Sequence, residues 1–556
     1  MATDGCRDKL MQCGLYPLSP LILLAIFGKL LLPSLLHPRP HLLEPQFSPW
    51  WFFLMGSGFL LFWFILSLGI CLHTHAPDRL HRLRKTARTL FTPADRLLPA
   101  HPFSGTLLGF ADDGTSLTLS PAQTRSHALV VGSTQTGKST FTALWTQQQT
   151  DRSLLIIDPH ASLVQRLLAD GLLSQYPPDA IFPLIPKADF VPGFNLLQPL
   201  PGENPTDCAR RLTNVATDVY FQGDVTAASR FRDVLFHTAW TLSATGYTVA
   251  EINAFLRSRA FRAHLTRRVA HIPVLYQWLT DAAAMSDARW RERTASTTNR
   301  FGIFETGEPA LIFGQPSSTL SLHAFLRRRG LWLAPLTVDA LGQDGAYLVA
   351  ALLLAMTDAL LARRKKGGAH PPLLIVADEF QRYPTAALER LLSERAGFGA
   401  SLLLVTQGLY GLSPQLTGTV LNNCRTLTAF RLSAQQAELL TPHLFHISPL
   451  LTRQQRVTGN HDLYNYADAL PQFRQKLQTL PDRHFFLRHG ISPAKQAHTP
   501  HLPVSPATLS VPQPLTEILR RRGKPRSTVM ANLTRRRQRL LTGTFDTPAE
   551  GGDDWH

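Results

Sequence analysis

The first strong pattern along the chain is a long apolar stretch, residues 50–72, which reads WWFFLMGSGFLLFWFILSLGICL and has no charged residue. As a helix it would measure about 34 Å, enough to cross a bilayer core of about 30 Å. An earlier stretch, residues 15–36, is weaker because it contains three prolines and Lys29. An interfacial helix and a signal-peptide core are alternatives for it. We predict an N-terminal membrane region, residues 1–75, with spans at 15–36 and 50–72.

Polar residues after the second span indicate its orientation. Five basic side chains follow it closely in sequence, and a cluster of this kind marks the cytoplasmic side of a membrane. Most of the chain is therefore expected in the cytoplasm, and with two spans the N-terminus lies there too. The basic residues are Arg79, Arg82, Arg84, Lys85 and Arg88.

Four short apolar runs lie in the body of the chain, and a polar residue directly follows three of them. Their ranges are 128–131, 153–157, 373–377 and 401–405. Stretches of helical character, such as 346–363, separate them. This alternation predicts an α/β fold with a doubly wound parallel sheet, in which ligands bind at the carboxyl edge of the strands.

Composition narrows the possible classes of protein. The chain has 556 residues and a formal net charge of +17, with 44% hydrophobic and 17% charged residues. This balance excludes a mainly disordered protein and favours a polyanionic partner, either nucleic acid or an anionic membrane face. The five cysteines are scattered, with no metal-ligand spacing and no disulfide framework. They indicate a reducing compartment for most of the chain.

Residues 132–140 follow the first apolar run and contain the complete G-x-x-x-x-G-K-[ST] pattern of a phosphate-binding loop. Glycines let backbone N–H groups converge on the phosphates, and the start of the next helix favours negative charge. Lys138 is expected to reach the β- and γ-phosphates of ATP, and the Ser139 hydroxyl to ligate Mg²⁺. The predicted cofactor-binding residues are Gly132, Ser133, Thr134, Gln135, Thr136, Gly137, Lys138, Ser139 and Thr140.

Hydrolysis of ATP needs carboxylates in addition to the phosphate-binding loop. An acidic pair at the end of another apolar run supplies them. Asp378 and Glu379 follow the strand pattern of residues 373–377. We assign Asp378 to Mg²⁺, through a water molecule, and Glu379 to the base that orients the attacking water. Gln407 follows residues 401–405 and is expected either to sense the γ-phosphate or the water, or to be an ordinary strand-end amide.

The order of these motifs resembles the type IV secretion coupling proteins, the TraG/TraD-type ATPases of conjugation. The resemblance rests on a membrane region, a basic stretch, and then the segments GSTQTGKST, IIDPH, LLIVADEF, SERAGFGASLLLVTQ and LNNCRTLTAFRLS. It covers roughly residues 50–490. One departure is Asp158-Pro159-His160-Ala161, where the family usually has Asp-Pro-Lys-Gly.

The resemblance implies a RecA-like P-loop NTPase with an inserted all-α domain, assembled as a homo-hexamer in the bacterial inner membrane. Its motor domain would comprise residues 76–203 and 326–490, and its insertion residues 204–325. The implied cofactors are ATP and Mg²⁺. The implied partners are relaxase-bound, single-stranded DNA, the relaxosome and the proteins of the type IV secretion channel.

The resemblance also implies an arginine finger that reaches the nucleotide of a neighbouring subunit. Arg395, in the turn before the strand that ends in Gln407, is the matching position. Arg425 is the alternative. Either guanidinium would offset the charge that develops in the transition state.

The last segment, residues 491–556, reads as a Pro-rich linker and a basic tail. Nine Lys and Arg residues lie between Leu515 and Arg539, against one acidic residue, Glu517. Such a cluster suits contacts with a nucleic-acid backbone, a tether to an anionic membrane surface, or a solvated helix face.

The sequence therefore predicts a membrane-anchored ATPase that recruits and translocates conjugative DNA, with bound relaxase, into a type IV secretion channel. Two alternatives remain. One is a double-strand DNA pump of the FtsK type, which shares the motor core. The other is a membrane receptor that binds nucleotide and docks protein effectors.

Overall fold

The computed structural model describes residues 105–365, 368–445, 454–457, 460–463, 466–500 and 512–545. All of them belong to one of two structural units of the chain, Leu97–His556. The predicted spans at 15–36 and 50–72 lie outside the described residues. The strands are β1 Thr106–Phe110, β2 Ser116–Leu119, β3 His127–Val131, β4 Ser153–Ile157, β5 Ile181–Pro183, β6 Phe190–Pro192, β7 Leu331–Ala334, β8 Leu373–Ala377, β9 Ala400–Thr406, β10 Cys424–Ala429, β11 Gln454–Val457, β12 Asn460–Leu463, β13 His484–His489, β14 Lys495–His498 and β15 Gly523–Pro525.

The α-helices alternate with these strands except in one long helical stretch between β6 and β7. They are α1 Lys138–Gln147, α2 Ser162–Ala169, α3 Pro205–Phe221, α4 Ser229–Ala244, α5 Ile252–Arg257, α6 Arg259–Arg268, α7 Pro273–Ala284, α8 Asp287–Phe301, α9 Gly307–Phe313, α10 Leu322–Arg327, α11 Val338–Leu341, α12 Gln343–Ala362, α13 Ala386–Glu394, α14 Pro414–Asn423, α15 Ala434–Leu444, α16 Tyr466–Gln478, α17 Gln513–Arg522 and α18 Arg526–Thr542.

The main sheet has eleven strands in the order β2-β1-β14-β13-β10-β3-β9-β8-β4-β7-β5. The seven strands from β10 to β5 are parallel. Their side chains alternate between two cores, with Leu129 and Val131 on one face of β3 and Ala128 and Val130 on the other. Both faces are covered, which explains why these strands read as unbroken apolar runs.

The remaining four strands form an antiparallel flank beside β10, which differs from the purely parallel sheet expected. Strands β13 and β14 form a hairpin, and β1 pairs with β14 on its far side. The sheet therefore runs to His498, past residue 490, where the sequence placed the end of the motor domain.

The helical stretch α3–α10 lies between β6 and β7 and covers the range 204–325, for which the insertion stays a prediction. It begins at Asn204, whose side chain accepts a hydrogen bond of 2.9 Å from Asp207 N in a capping box. Helix α3 packs against α4 within the insertion and against α12 of the motor. The insertion and the motor therefore share one apolar core.

Helix α12 is the one described helix that is long and apolar enough to cross a membrane. However, 83% of its apolar window is buried inside the structure. It packs against α3, α13 and the sheet side of the larger core, so its apolar character is explained by its burial there.

The C-terminal helices form a strap, residues 512–545, across the insertion and the motor. Strand β15 pairs antiparallel with β6. Leu519 of α17 belongs to the core on one face of the main sheet, and Leu533 of α18 belongs to the core on the other. Gly523 joins the two halves at a close approach, because a Cβ there would lie 2.9 Å from the backbone of Phe190.

Several of the strap's basic residues make contacts within the chain. Arg526 pairs with Glu308 and donates to Ala188 O at 2.9 Å. The guanidinium of Arg522 lies 4.2 Å from the ring centre of Phe182. These contacts account for part of the basic cluster without a polyanionic partner.

Arg536 is the most buried charged contact between the strap and the insertion. Its Nε lies 3.3 Å from Glu251 Oε1, with side chains 14% and 5% exposed. Arg536→Ala leaves that carboxylate buried without its cation and should lower the free energy of unfolding by about 3 kcal/mol. The check is the denaturant midpoint. The exposed neighbour Arg537 is the matched control, since Arg537→Ala should change stability by less than about 0.5 kcal/mol. Equal effects of the two variants would contradict this assignment.

Candidate nucleotide-binding site

The candidate phosphate-binding loop lies between the buried strand β3 and helix α1. Gly132 is required at its start, because a Cβ there would lie 2.6 Å from Phe430 Cβ. Helix α1 begins at Lys138, so the N–H groups of its first turn point toward the loop. Ser139 is exposed at this helix start, where its hydroxyl is accessible to a metal ion.

Lys138 extends across the loop, with its side chain buried. Its ammonium donates to Gly132 O and, at 2.7 Å, to Ser133 O. Burial lowers the pKa of Lys138, while the nearby carboxylates of Glu379 and Asp378 act in the opposite direction. The lysine therefore lies close enough to the acidic pair for their charges to interact.

The acidic pair follows β8 in a tight turn. Glu379 has a left-handed backbone, with φ of 51°, and Tyr383 Oη donates to Asp378 O at 2.7 Å. The Glu379 carboxylate accepts from Gln407 Nε2 at 2.9 Å and also from Gln381 Nε2. The candidate base is thus held at both oxygens by amide groups.

Gln407 reaches Glu379 because of the strand order. Strand β9 lies between β3 and β8, so its carboxyl end separates the loop from the acidic pair. One strand therefore separates the strand of the loop from the strand of the acidic pair. Gln407 therefore occupies the position between loop and base, and the structure brings Lys138, Asp378, Glu379 and Gln407 to one edge of the sheet.

Asp158 adds a third carboxylate to this edge, after β4. It is fully buried and accepts from His160 N at 2.9 Å and Val164 N at 3.0 Å, which caps α2. In the segment that departs from the family, His160 is exposed and Ala161 takes a left-handed conformation with φ of 60°. A glycine would adopt that conformation without steric cost.

The carboxylates at this edge repel one another. Burial, followed by the charges of Asp158 and Glu379, raises the pKa of Asp378 well above its ordinary range. Burial also raises the pKa of Asp158. A cation here would offset this negative charge, so the donor set of Asp378 and the Ser139 hydroxyl fits Mg²⁺, a hard ion that prefers oxygen ligands.

Two residues that brace the loop were not found from the sequence. Arg483 N donates to Thr136 O at 2.8 Å, and Ser133 N donates to Arg431 O at 2.9 Å. Arg483 has a left-handed backbone, with φ of 65°. Both braces use main-chain atoms, so no side-chain motif marks them.

The two candidate arginine fingers lie away from this edge. Arg395 precedes β9 and Arg425 is at the start of β10, so both are at the amino edge of the sheet, roughly 20 Å from the loop. Arg395 is buried, and its Nε donates to Asp358 Oδ1 at 2.6 Å. Arg425 is exposed. Neither joins Lys138 within the same chain, and an action on a neighbouring subunit stays a prediction for both.

No protein-family model and no curated protein matches this chain. Among solved structures it is similar to the bacterial conjugative coupling protein TrwB in an unbound form, at 14% identity over 74% of this chain and 94% of that chain, with a TM-score of 0.47. TrwB in complex with ADP and Mg²⁺ gives 14% identity, coverage of 74% and 92%, and a TM-score of 0.47.

A third similar structure is VirB4 of Thermoanaerobacter pseudethanolicus, at 13% identity over 72% of this chain and 98% of that chain, with a TM-score of 0.45. At such low identities and TM-scores, the assignment of the nucleotide site rests on its own residues.

Asp378 gives this site a test that does not depend on turnover. Because its pKa is raised by folding, the native state binds a proton that the unfolded state releases above about pH 4. The free energy of unfolding of the nucleotide-free protein should therefore fall as pH rises through that range. Asp378→Asn should reduce this dependence to the part that Asp158 contributes and raise stability at pH 7.5, yet weaken Mg²⁺-dependent nucleotide binding about 10- to 100-fold.

Denaturant titrations at several pH values and nucleotide binding with and without Mg²⁺ check this expectation. The exposed Asp281 provides the matched control, since Asp281→Asn should leave both properties unchanged. A variant Asp378→Asn that is less stable at every pH, or that binds Mg²⁺–nucleotide normally, would contradict the assignment.

Proposed function

We propose that this chain is an ATP hydrolase that drives the transfer of conjugative DNA, with bound relaxase, into a type IV secretion channel. The observation that carries the hydrolase part is the meeting of Lys138, Asp378, Glu379 and Gln407 at one edge of a parallel sheet. Binding nucleotide needs only the loop, whereas the acidic pair and its amide partners supply what hydrolysis adds.

Each residue has a distinct task in this proposal. Lys138 exchanges the carbonyl oxygens of its own loop for the β- and γ-phosphate oxygens. Ser139 and Asp378 would hold Mg²⁺, which would supply positive charge against the negative charge that develops during hydrolysis. Glu379 accepts a hydrogen bond from the attacking water and orients it. Gln407 holds Glu379 in place through a hydrogen bond. It can also couple the presence or loss of the γ-phosphate to the position of Glu379.

The DNA-transfer part of the proposal rests on three further features. The net charge of +17 suits a polyanionic cargo. The predicted spans at 15–36 and 50–72 would anchor the motor at the inner membrane. The order of the sequence motifs is that of the coupling proteins, which implies a hexameric ring with a central channel.

ATP turnover by the full-length protein in detergent, with and without single-stranded DNA, tests this function. We expect DNA to stimulate turnover several-fold, and less so at higher salt because phosphate contacts release counterions. Lys138→Ala should abolish turnover, whereas the exposed control Lys187→Ala should retain it. Turnover that is indifferent to DNA at low salt would refute a DNA motor and favour the protein-docking receptor, and turnover retained by Lys138→Ala would refute the site itself.

The arginine finger is proposed to come from the neighbouring subunit, and the structure favours Arg425 for this task. The guanidinium of Arg395 already forms a hydrogen bond with Asp358, which also accepts from Arg390 Nε at 2.7 Å. Because Arg395 and Asp358 are both buried, Arg395→Ala should lower the free energy of unfolding by about 3 kcal/mol. Arg425 is exposed, so its removal should leave folding unchanged.

Assemblies that mix subunits of two variants can distinguish Arg395 from Arg425 as the arginine finger. Arg425→Ala should lower turnover at least about 100-fold, and so should Glu379→Gln. A mixture of the two variants should regain turnover, because sites with an intact Glu379 then meet an intact Arg425 from the neighbour. Rescue of Arg395→Ala and not of Arg425→Ala would return the finger to Arg395. Full turnover by Arg425→Ala alone would exclude Arg425.

A further inference from the structure

Three side chains outside the nucleotide site meet on the antiparallel flank of the main sheet. They are Asp112, His484 and His498, and one ligand atom from each lies within 4.8 Å of the other two. We propose that these residues form a binding site for a divalent transition-metal ion, with Zn²⁺ as the best match. The site stands independently of the proposed ATPase.

The register of the flank explains how these residues meet. His484 on β13 is directly opposite His498 on β14, and His498 is directly opposite Phe110 on β1. Asp112 follows Phe110 by two residues, in the turn that leads from β1 to β2. The two imidazole rings are 5.4 Å apart between centres. No local sequence spacing could reveal this group, since 372 residues separate Asp112 from His484.

A main-chain contact orients the imidazole ring of His484 for metal binding. Its Nδ1 lies 3.1 Å from Asp482 O. A carbonyl oxygen can only accept, so Nδ1 carries the proton and Nε2 keeps its lone pair in the neutral ring. Metal-binding histidines almost always donate their other ring nitrogen in this way, which fixes the tautomer and the ring orientation.

The spacing needs only a small adjustment to hold an ion. Ligands at about 2.1 Å from Zn²⁺ are at most about 4 Å apart, slightly less than the 4.8 Å limit observed. Asp112 is exposed in the turn between β1 and β2, so its carboxylate can close this gap by rotation. The two histidines are half-buried and set by strand pairing.

The donor types decide the class of metal. Two imidazoles and one carboxylate suit Zn²⁺ and its first-row neighbours, whereas Mg²⁺ prefers oxygen ligands alone. Three protein ligands leave a coordination position for water. The carboxylate partly offsets the charge of the ion in a chain that is otherwise strongly basic.

The position of the site gives the ion a structural effect. It would tie the β1–β2 hairpin to the β13–β14 hairpin. His484 is next to Arg483, whose N–H braces the phosphate-binding loop at Thr136 O and whose carbonyl accepts from Thr499 N at 3.0 Å. An ion bound here would therefore hold the strand from which this brace extends.

Zn²⁺ titration of the full-length protein in detergent, after removal of metal by a chelator, tests the site without any nucleotide. A competing indicator dye reports free Zn²⁺. We expect Asp112→Asn to weaken one equivalent of Zn²⁺ binding by at least about 100-fold relative to the unaltered protein. The neighbouring Asp113 provides the matched control. Its carboxylate accepts from Thr115 N at 2.8 Å, and Asn can keep that contact, so Asp113→Asn should bind Zn²⁺ normally.

A second measurement covers the histidines. Saturating Zn²⁺ should raise the melting temperature of the unaltered protein, and His484→Gln or His498→Gln should lose that rise, whereas the exposed control His370→Gln should keep it. The other histidines and cysteines of the chain bind Zn²⁺ equally in all variants, so only differences count. Equal Zn²⁺ binding by the unaltered protein and Asp112→Asn, or no bound equivalent in either, overturns the proposal.

Discussion

The nucleotide site depends on an excess of negative charge at a dry edge of the sheet. Asp158, Asp378 and Glu379 are buried near the buried cation Lys138. Charges in such an environment interact strongly because little water screens them. Burial and the neighbouring carboxylates raise the pKa of Asp378, and a divalent cation bound at this edge would offset the excess of negative charge. The excess of negative charge destabilises this edge when no metal is bound. The same excess therefore favours binding of the divalent cation that the proposed hydrolysis needs.

Local patterns predicted the parts of this site that depend on a few adjacent residues. The loop at 132–140 and the pair Asp378-Glu379 each combine an apolar strand with its own functional residues, so one window of sequence contains the whole signal. Strand order has no such local signal. The placement of β9 between β3 and β8, which brings Gln407 to Glu379, depends on which strands pair across the sheet, and sequence alone does not specify that.

Arginines were the hardest residues to interpret from sequence. An arginine-rich segment predicts solvent or a polyanion, yet Arg526 and Arg536 bind acidic residues of the insertion, and Arg395 binds Asp358 on α12. In each case the partner is between 37 and 285 residues away in the chain. The antiparallel flank was missed for a related reason, since its strands are short and come from both ends of the motor domain.

The pairing of β15 with β6 has a consequence for how the chain is made. Gly523 is opposite Pro192, so 331 residues separate the two partners. At synthesis rates of about 5 to 20 residues per second, the edge of β6 emerges roughly 15 to 70 s before β15 exists. During that interval the nascent chain exposes an open strand edge beside a helical insertion that is synthesised in the same interval, and such an edge can pair with another chain. The molecule thus passes through a stage in which a chaperone or close attachment to the membrane would protect it from aggregation.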